Sequence, residues 1–348
     1  MFICLEIYEQ ERRNDILKDG HNRLINYLRL SITDRCNLRC QYCMPKEGVS
    51  LYGPDEILRY EEILKIVKLA VSRGITKVRL TGGEPLVRKD VVSLIRQLSS
   101  LTGLQDLSMT TNGLLLADFA SSLYQAGLKR VNISMDSLNP EKYQQITRGG
   151  DLQKVWAGIA AAQKVGFSPI KINVVAIAGF NDGEILDFAR LTLHNPWQVR
   201  FIEYMPIGQN NSWRPEQFLT AQTIRERIES YYSLLPLETE KQSNNGPARL
   251  YKIIGAQGEL GFISPVSEHF CHTCNRLRIT ADGKLKTCLF SASEVDLKAV
   301  LRRGGQEEDI ERELTEKISW ALAHKPLRRD FTANLMKRCH HPMVKIGG

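Results

Sequence analysis

Six of the eight cysteines of this 348-residue chain fall into two sets of three. The run "DRCNLRCQYCMP" (34–45) carries Cys36, Cys40 and Cys43 at the spacing C-x3-C-x2-C. The run "CHTCNRLRITADGKLKTC" (271–288) carries Cys271, Cys274 and Cys288 at C-x2-C-x13-C. A structural zinc normally takes four protein ligands, and the first set has no obvious fourth partner nearby. Soft thiolates equally suit an iron-sulfur cluster, and a cubane held by three cysteines leaves one iron open to an outside ligand. Zinc, or a chance grouping of buried cysteines, remains the alternative. For the second set zinc is the stronger rival, because His272, Cys339, His340 or His341 could complete a tetrahedron.

A second motif lies between the two sets. "TGGEP" (81–85) directly follows a β-rich run, and Gly82 and Gly83 allow backbone to approach a ligand without interference from a Cβ. Glu84 can accept from an ammonium group. Taken alone, the motif is an ordinary strand-to-helix turn.

The elements that must position these groups can be read from periodicity. β-Rich runs occur at 25–33, 75–80, 104–110, 130–135, 170–177 and 198–205, with helical patterns between most of them, such as 60–74, 90–103 and 152–167. Such alternation predicts parallel βα units, as an open sheet or a barrel. After residue 206 the pattern changes to loops and two hairpins, 248–265 and 275–288, the latter turning at Asp282 and Gly283. The charged run "GGQEEDIERELTEKISWALAHK" (304–325) reads as a solvated helix face.

A formal charge of +8 points to an anionic partner without choosing among nucleic acid, a phosphorylated metabolite and a membrane surface. No apolar run approaches the roughly 18–20 residues a membrane helix needs, and the first residues lack the pattern of a secretory signal. A cytoplasmic protein is expected, with cysteines serving metal rather than disulfides. Residues 1–22 receive no function.

The first cysteine set, with Tyr42 before its last member and TGGEP downstream, resembles the signature of the radical S-adenosylmethionine (SAM) superfamily. There, three cysteines hold a [4Fe-4S] cluster whose open iron chelates SAM, and reduction releases a 5′-deoxyadenosyl radical. Two cysteine sets, TGGEP between them and a Gly347-Gly348 end together resemble the GTP 3′,8-cyclase family, which opens molybdenum cofactor biosynthesis. The resemblance implies an α/β fold: an incomplete (βα)6 radical SAM barrel over 23–206, and a C-terminal auxiliary-cluster region over 207–348 whose Gly-Gly tail enters the active site.

It also implies two [4Fe-4S] clusters, SAM as cofactor and GTP as substrate. The family's GTP contacts correspond to Arg29, Arg79, Thr110, Lys171, Arg276, Leu277 and Arg278, and its SAM contacts to Tyr42, Gly83, Ser134 and Met205, beside Gly82 and Glu84. Arg29 and Arg79 are expected at the reacting nucleotide, with Lys77 and Arg200 as further polar contacts. Arg276 and Arg278, two apart on a strand, point the same way, as two guanidiniums sharing a polyphosphate must. A homodimer is implied, with an unidentified electron donor and a separate pyranopterin-forming enzyme receiving the product; neither nucleic acid nor membrane is expected as a partner. Cys339, His340 and His341 are read as incidental. Two rivals are a peptide-modifying radical SAM enzyme, which needs neither Arg276 and Arg278 nor the Gly-Gly end, and a zinc-stabilised nucleic-acid-binding protein.

Overall fold

The computed structural model describes residues 16–207, 213–237, 246–291, 293–328 and 342–347. Cys339, His340, His341 and Gly348 lie outside the described residues. Six strands, β1 (Tyr27–Ser31), β2 (Lys77–Thr81), β3 (Asp106–Thr111), β4 (Arg130–Ser134), β5 (Ile170–Ala176) and β6 (Gln198–Glu203), pair in parallel in sequential order. Each matches one of the β-rich runs of the sequence.

The helices between them are α1 (Tyr60–Ser72), α2 (Val91–Ser99), α3 (Leu116–Gln125), α4 (Pro140–Thr147), α5 (Leu152–Val165) and α6 (Ile185–His194). Their apolar stripes cover one face of the sheet. In α1, Ile63, Ile66, Val67 and Ala70 recur at three- and four-residue steps and are buried, each worth roughly 1.5–3 kcal/mol for a large aliphatic side chain. Local signals set the ends: Asn139 accepts from the backbone N–H groups of Glu141 and Lys142 ahead of Pro140 at the start of α4. Gly166, at φ +98°, ends α5 in the left-handed conformation.

The C-terminal part does not build a separate sheet. After α7 (Ala221–Glu229), strands β7 (Leu234–Pro236), β8 (Arg249–Ile253) and β9 (Glu259–Ile263) extend the wall beyond β6. Strands β10 (Arg276–Ile279), β11 (Lys284–Lys286) and β12 (Val295–Asp296) extend it beyond β1. The order is β12-β11-β10-β1-β2-β3-β4-β5-β6-β9-β8-β7, so β1 and β6 do not pair with each other and the βα wall is a partial, open barrel. Residue 207 thus marks a change of connectivity within one continuous sheet.

Helix α8 (Lys298–Arg302) and helix α9 (Glu307–Ala323) follow, and α10 (Met343–Ile346) lies next to the tail. The charged run read as a solvated face forms α9, which buries Ile310, Leu314, Ile318, Ala321 and Leu322 along one side. Its last residue departs from that reading: Lys325 is 3% exposed.

Candidate active site

Parallel register places cations from distant parts of the chain side by side. Arg29 on β1 pairs with Arg79 on β2 and with Arg278 on β10, while Tyr27, one inward-facing position earlier, pairs with Lys77 and Arg276. Across the wall, Asn132 on β4 pairs with Lys171 on β5, and Asn173 pairs with Arg200 on β6. Because side chains alternate along a strand, all these cations project to the face opposite the helices. They line one cavity of about 320 Å³, whose wall also includes all six cysteines of the two sets, Tyr42, Gly82, Gly83, Thr110, Ser134 and Met205.

So much positive charge inside a protein is costly unless an anion offsets it. Burial, followed by the charges of Arg200, Arg130 and Arg79, pushes the Lys171 ammonium down to about 6. Burial and then Arg79 lower Arg200 to about 9, and Nη2 of Arg200 is buried without a hydrogen-bond partner among the described residues. Burial likewise lowers Arg29 to about 10, offset in part by Tyr27, and lowers Arg278 and Lys77. The chamber is built to receive a multiply charged anion.

The first cysteine set lies on the loop after β1. Cys43 N–H donates to the Cys40 carbonyl at 2.9 Å, curling the loop. The glycines of TGGEP dock against the chain leading into it: Gly83 N–H donates to Thr33 O at 2.7 Å and Glu84 N–H to Arg35 O at 2.8 Å. A Cβ on Gly83 would stand 2.2 Å from Arg35 O, and one on Gly82, at φ +150°, 2.4 Å from Thr33 O. These positions require glycine because backbone meets backbone there.

Two of the residues named from the sequence, Glu84 and Leu277, do not line the cavity with their side chains. Glu84 does not reach the cavity wall: it is 1% exposed, and its carboxylate accepts from Thr111 Oγ1 at 2.8 Å, Asn112 N at 2.7 Å and Leu86 N at 3.0 Å. Burial raises it to about 7 against the pull of those bonds. It ties the loop after β2 to the end of β3 rather than offering oxygens to an ammonium group. Leu277 is buried in the core on the helix-covered side of β10, as alternation demands between inward-facing Arg276 and Arg278, so only its backbone is available to the cavity face.

The sequence reading missed Asp136, just beyond Ser134. Its carboxylate accepts from Tyr42 Oη at 2.7 Å and Val175 N at 2.8 Å, and burial raises it to about 6 against those bonds. It fixes the ring beside Cys43; an acidic residue two positions past a strand-end serine was the available signal. Lys325 was also missed, because its signal lay inside a run read as solvated.

The donor chemistry can be tested against an iron-sulfur cluster. Each trio offers three soft thiolates to the wall of the same cavity, a donor set that suits iron-sulfur ligation with one iron left open. Burial raises the Cys36 thiol to about 11 and Cys43 to about 12, and raises Cys40 with help from Cys43 and Asp136. A cationic iron framework supplies the charge that makes such sulfurs thiolates. At the second set, burial raises Cys274, but Arg276 and Lys325 outweigh it and leave the thiol at about 6.

A partial βα barrel with a three-cysteine loop at the carboxyl end of its first strand defines the chain as a radical SAM protein, and the radical SAM superfamily matches residues 30–192. The family described as molybdenum cofactor synthesis C matches residues 197–331. The GTP 3′,8-cyclase of Thermodesulfovibrio yellowstonii is 52% identical over 339 residues, covering 95% of this chain and 100% of the relative. That of Alkaliphilus oremlandii is 48% identical over 332 residues, with the same coverage of each. Streptococcus suis SuiB, solved bound to its precursor peptide SuiA, shares the fold at a TM-score of 0.57 and 14% identity, over 86% of this chain and 66% of that one. The chain belongs to the GTP 3′,8-cyclase family. Radical SAM membership brings a [4Fe-4S] cluster and SAM; no helix among the described residues is long and apolar enough to cross a membrane.

Proposed function

We propose that this chain is the radical SAM enzyme that converts GTP to 3′,8-cyclo-7,8-dihydro-GTP, the first step of molybdenum cofactor biosynthesis, and that the cavity is where it does so. The observation that carries the reading is that both cysteine trios and the buried cations share one chamber. Cys36, Cys40 and Cys43 would hold the first cluster and Cys271, Cys274 and Cys288 a second. When bound, the first cluster supplies reductive cleavage of SAM, and with it the radical that removes the C3′ hydrogen of GTP.

The chain's own residues supply binding and orientation. Tyr42, fixed by Asp136, together with Gly83, Ser134 and Met205, lines the SAM side. Arg29, Arg79, Arg276 and Arg278 offer guanidinium forks to the triphosphate. Lys77, Lys171, Arg200 and Thr110 line the remaining wall. Holding the ribose carbon under the adenosyl carbon is catalysis by positioning, and a water-poor lumen protects a reactive carbon. Two parts of one sheet, 23–206 and 207–348, would divide the labour between SAM and GTP. A cytoplasmic homodimer passing its product to a pyranopterin-forming enzyme completes the proposal.

The test is anaerobic reconstitution with iron and sulfide counting, then incubation with SAM, GTP and a reductant while following 5′-deoxyadenosine and the cyclised nucleotide. Deoxyadenosine formed only with a peptide substrate, or a colourless protein without iron, defeats the reading.

A further inference from the structure

In the second cysteine trio, Cys274 N–H donates to the Cys271 carbonyl at 3.1 Å, so those two cysteines share one turn, as Cys40 and Cys43 do, while Cys288 lies outside it. Cys271 lies in a short turn (Cys271–Thr273), Cys274 just before β10, and Cys288 two residues beyond β11. The β10–β11 ladder runs only to the pair Arg278–Lys286, so it ends before it reaches either Cys274 or Cys288. Something else must hold Cys288 in register with the turn that carries Cys271 and Cys274, and that turn against the rest of the chain.

Two buried cations do so, and both act through one short stretch after α9. Lys325 Nζ donates to the carbonyl of Arg276 at 2.9 Å and to that of Thr287, joining the segment after Cys274 to the residue before Cys288. Arg23 Nη1 donates to the Cys271 carbonyl at 2.6 Å and to Leu327 O at 3.1 Å, and Nη2 to Pro326 O at 2.7 Å. Its Nε is held by Asp19 at 2.6 Å, in a pair whose side chains are 8% and 0% exposed.

Asp19 is itself fixed. It accepts from the backbone N–H groups of His21 at 2.9 Å and Arg23 at 3.0 Å, closing a tight turn. Gly20 N–H in that turn donates to Leu322 O at the end of α9, and a Cβ on Gly20 would stand 2.6 Å from Ala323 O. The segment before β1 is thus docked on the helix that delivers Lys325. A buried pair with this many satisfied partners is expensive to disturb on one side only.

We propose that Asp19, Arg23 and Lys325 are positioning residues that assemble the Cys271–Cys274–Cys288 trio before iron arrives and set the charge around the cluster it takes. Each of the three cysteine-bearing segments is tied by a charge-assisted bond to Arg23 or Lys325, and Arg23 is in turn bonded to the carbonyls of Pro326 and Leu327, so two positive charges stand where three thiolates must be gathered. The turn that precedes the barrel therefore serves the far, C-terminal metal site, not the SAM loop.

The inference rests on the proposed second cluster, and the test separates the two. Parent protein, Lys325→Met, Lys325→Arg and Arg23→Gln are reconstituted anaerobically and compared by iron and sulfide content, by redox titration, and by the change in the first cluster's electron paramagnetic resonance signal on adding SAM. A parent holding about four irons per chain defeats the second-cluster reading itself. With a parent near eight, Lys325→Met and Arg23→Gln are expected to lose up to half the iron while keeping the SAM-induced signal. Any second cluster that Lys325→Met still loads is expected at a lower midpoint potential, and Lys325→Arg to recover most of the iron. Full iron at an unchanged potential in both neutral variants, or equal loss of both clusters, overturns the inference.

Discussion

The Arg278 guanidinium, which pairs in register with Arg29, donates from Nη1 to the carbonyl oxygen of Gly347 at 2.7 Å. The penultimate residue of the chain is thereby anchored to the row of cations on the cavity wall. Gly347 sits at φ +76°, and a Cβ there would stand 2.9 Å from side-chain atoms of both Ser31 and Thr81, the last residues of β1 and β2. Gly347→Ala is therefore strained twice, by conformation and by contact. It is expected to lower formation of the cyclised nucleotide at least tenfold while leaving SAM binding within about twofold; equal product formation by the variant and the parent counts against a tail that helps shape the site.

Arg276 and Arg278 face the same chamber from adjacent inward positions of one strand. Each charge-assisted bond to phosphate is worth about 1.5–3 kcal/mol, so Arg276→Ala and Arg278→Ala are each expected to weaken GTP binding about 10- to 100-fold. Equilibrium binding by calorimetry checks this, and unchanged affinity in both variants rejects the polyphosphate contact.

The two cysteine sets predict different defects. Serine at Cys36, Cys40 or Cys43 is expected to abolish SAM cleavage. Serine at Cys271, Cys274 or Cys288 is expected to leave some cleavage but no cyclised product, since that trio, flanking β10 and β11, lines the same chamber as Arg276 and Arg278. Full product from Cys271→Ser lacking half its iron would overturn this division.

Much of this architecture was legible in the sequence, for reasons visible in particular residues. Each of the six parallel strands carries a β-rich core bounded by turn residues, and the alternation of Arg276, Leu277 and Arg278 already assigns two side chains to one face and one to the other. What could not be read was partnership across the chain. Glu84 looks like a ligand group in TGGEP, yet the backbone around it turns its carboxylate onto Thr111 and Asn112, a contact 27 and 28 residues away. Lys325 closes a run of mixed charge that resembles any exposed helix, and only the packing of α9 against the β10–β11 end reveals a buried ammonium. The placement of β9 beside β6 and of β10 beside β1 is similarly nonlocal, and no turn signal specifies it.

Gly83 offers a test of the cysteine loop that does not touch sulfur. A methyl group there would meet Arg35 O at 2.2 Å and Asp34 O at 3.1 Å, both backbone atoms with little room to give. Gly83→Ala is expected to push the loop bearing Cys36 away from β2, at a cost of roughly 1–3 kcal/mol. Thermal melting should record the loss, and iron content at the first site should fall with it. A variant with parental melting temperature and full iron would mean that the loop tolerates the displacement.

Lys171 gives the pH dependence a definite sign. In the free protein its ammonium is held at about 6 by burial and by Arg200, Arg130 and Arg79, so at pH 7 it is mostly neutral. A triphosphate in the chamber favours the charged form, raising the value in the complex, and binding must then take up a proton. For a base whose pKa is higher in the complex, the added affinity is complete below about pH 6 and falls as pH rises above it, by at most tenfold per unit. Titration of the phosphate itself works in every variant alike, so the difference between parent and Lys171→Met isolates the lysine. Calorimetry at pH 7.5 in two buffers of different ionisation enthalpy should show proton uptake in the parent and less of it in Lys171→Met; equal uptake in the two would place the anion out of reach of β5.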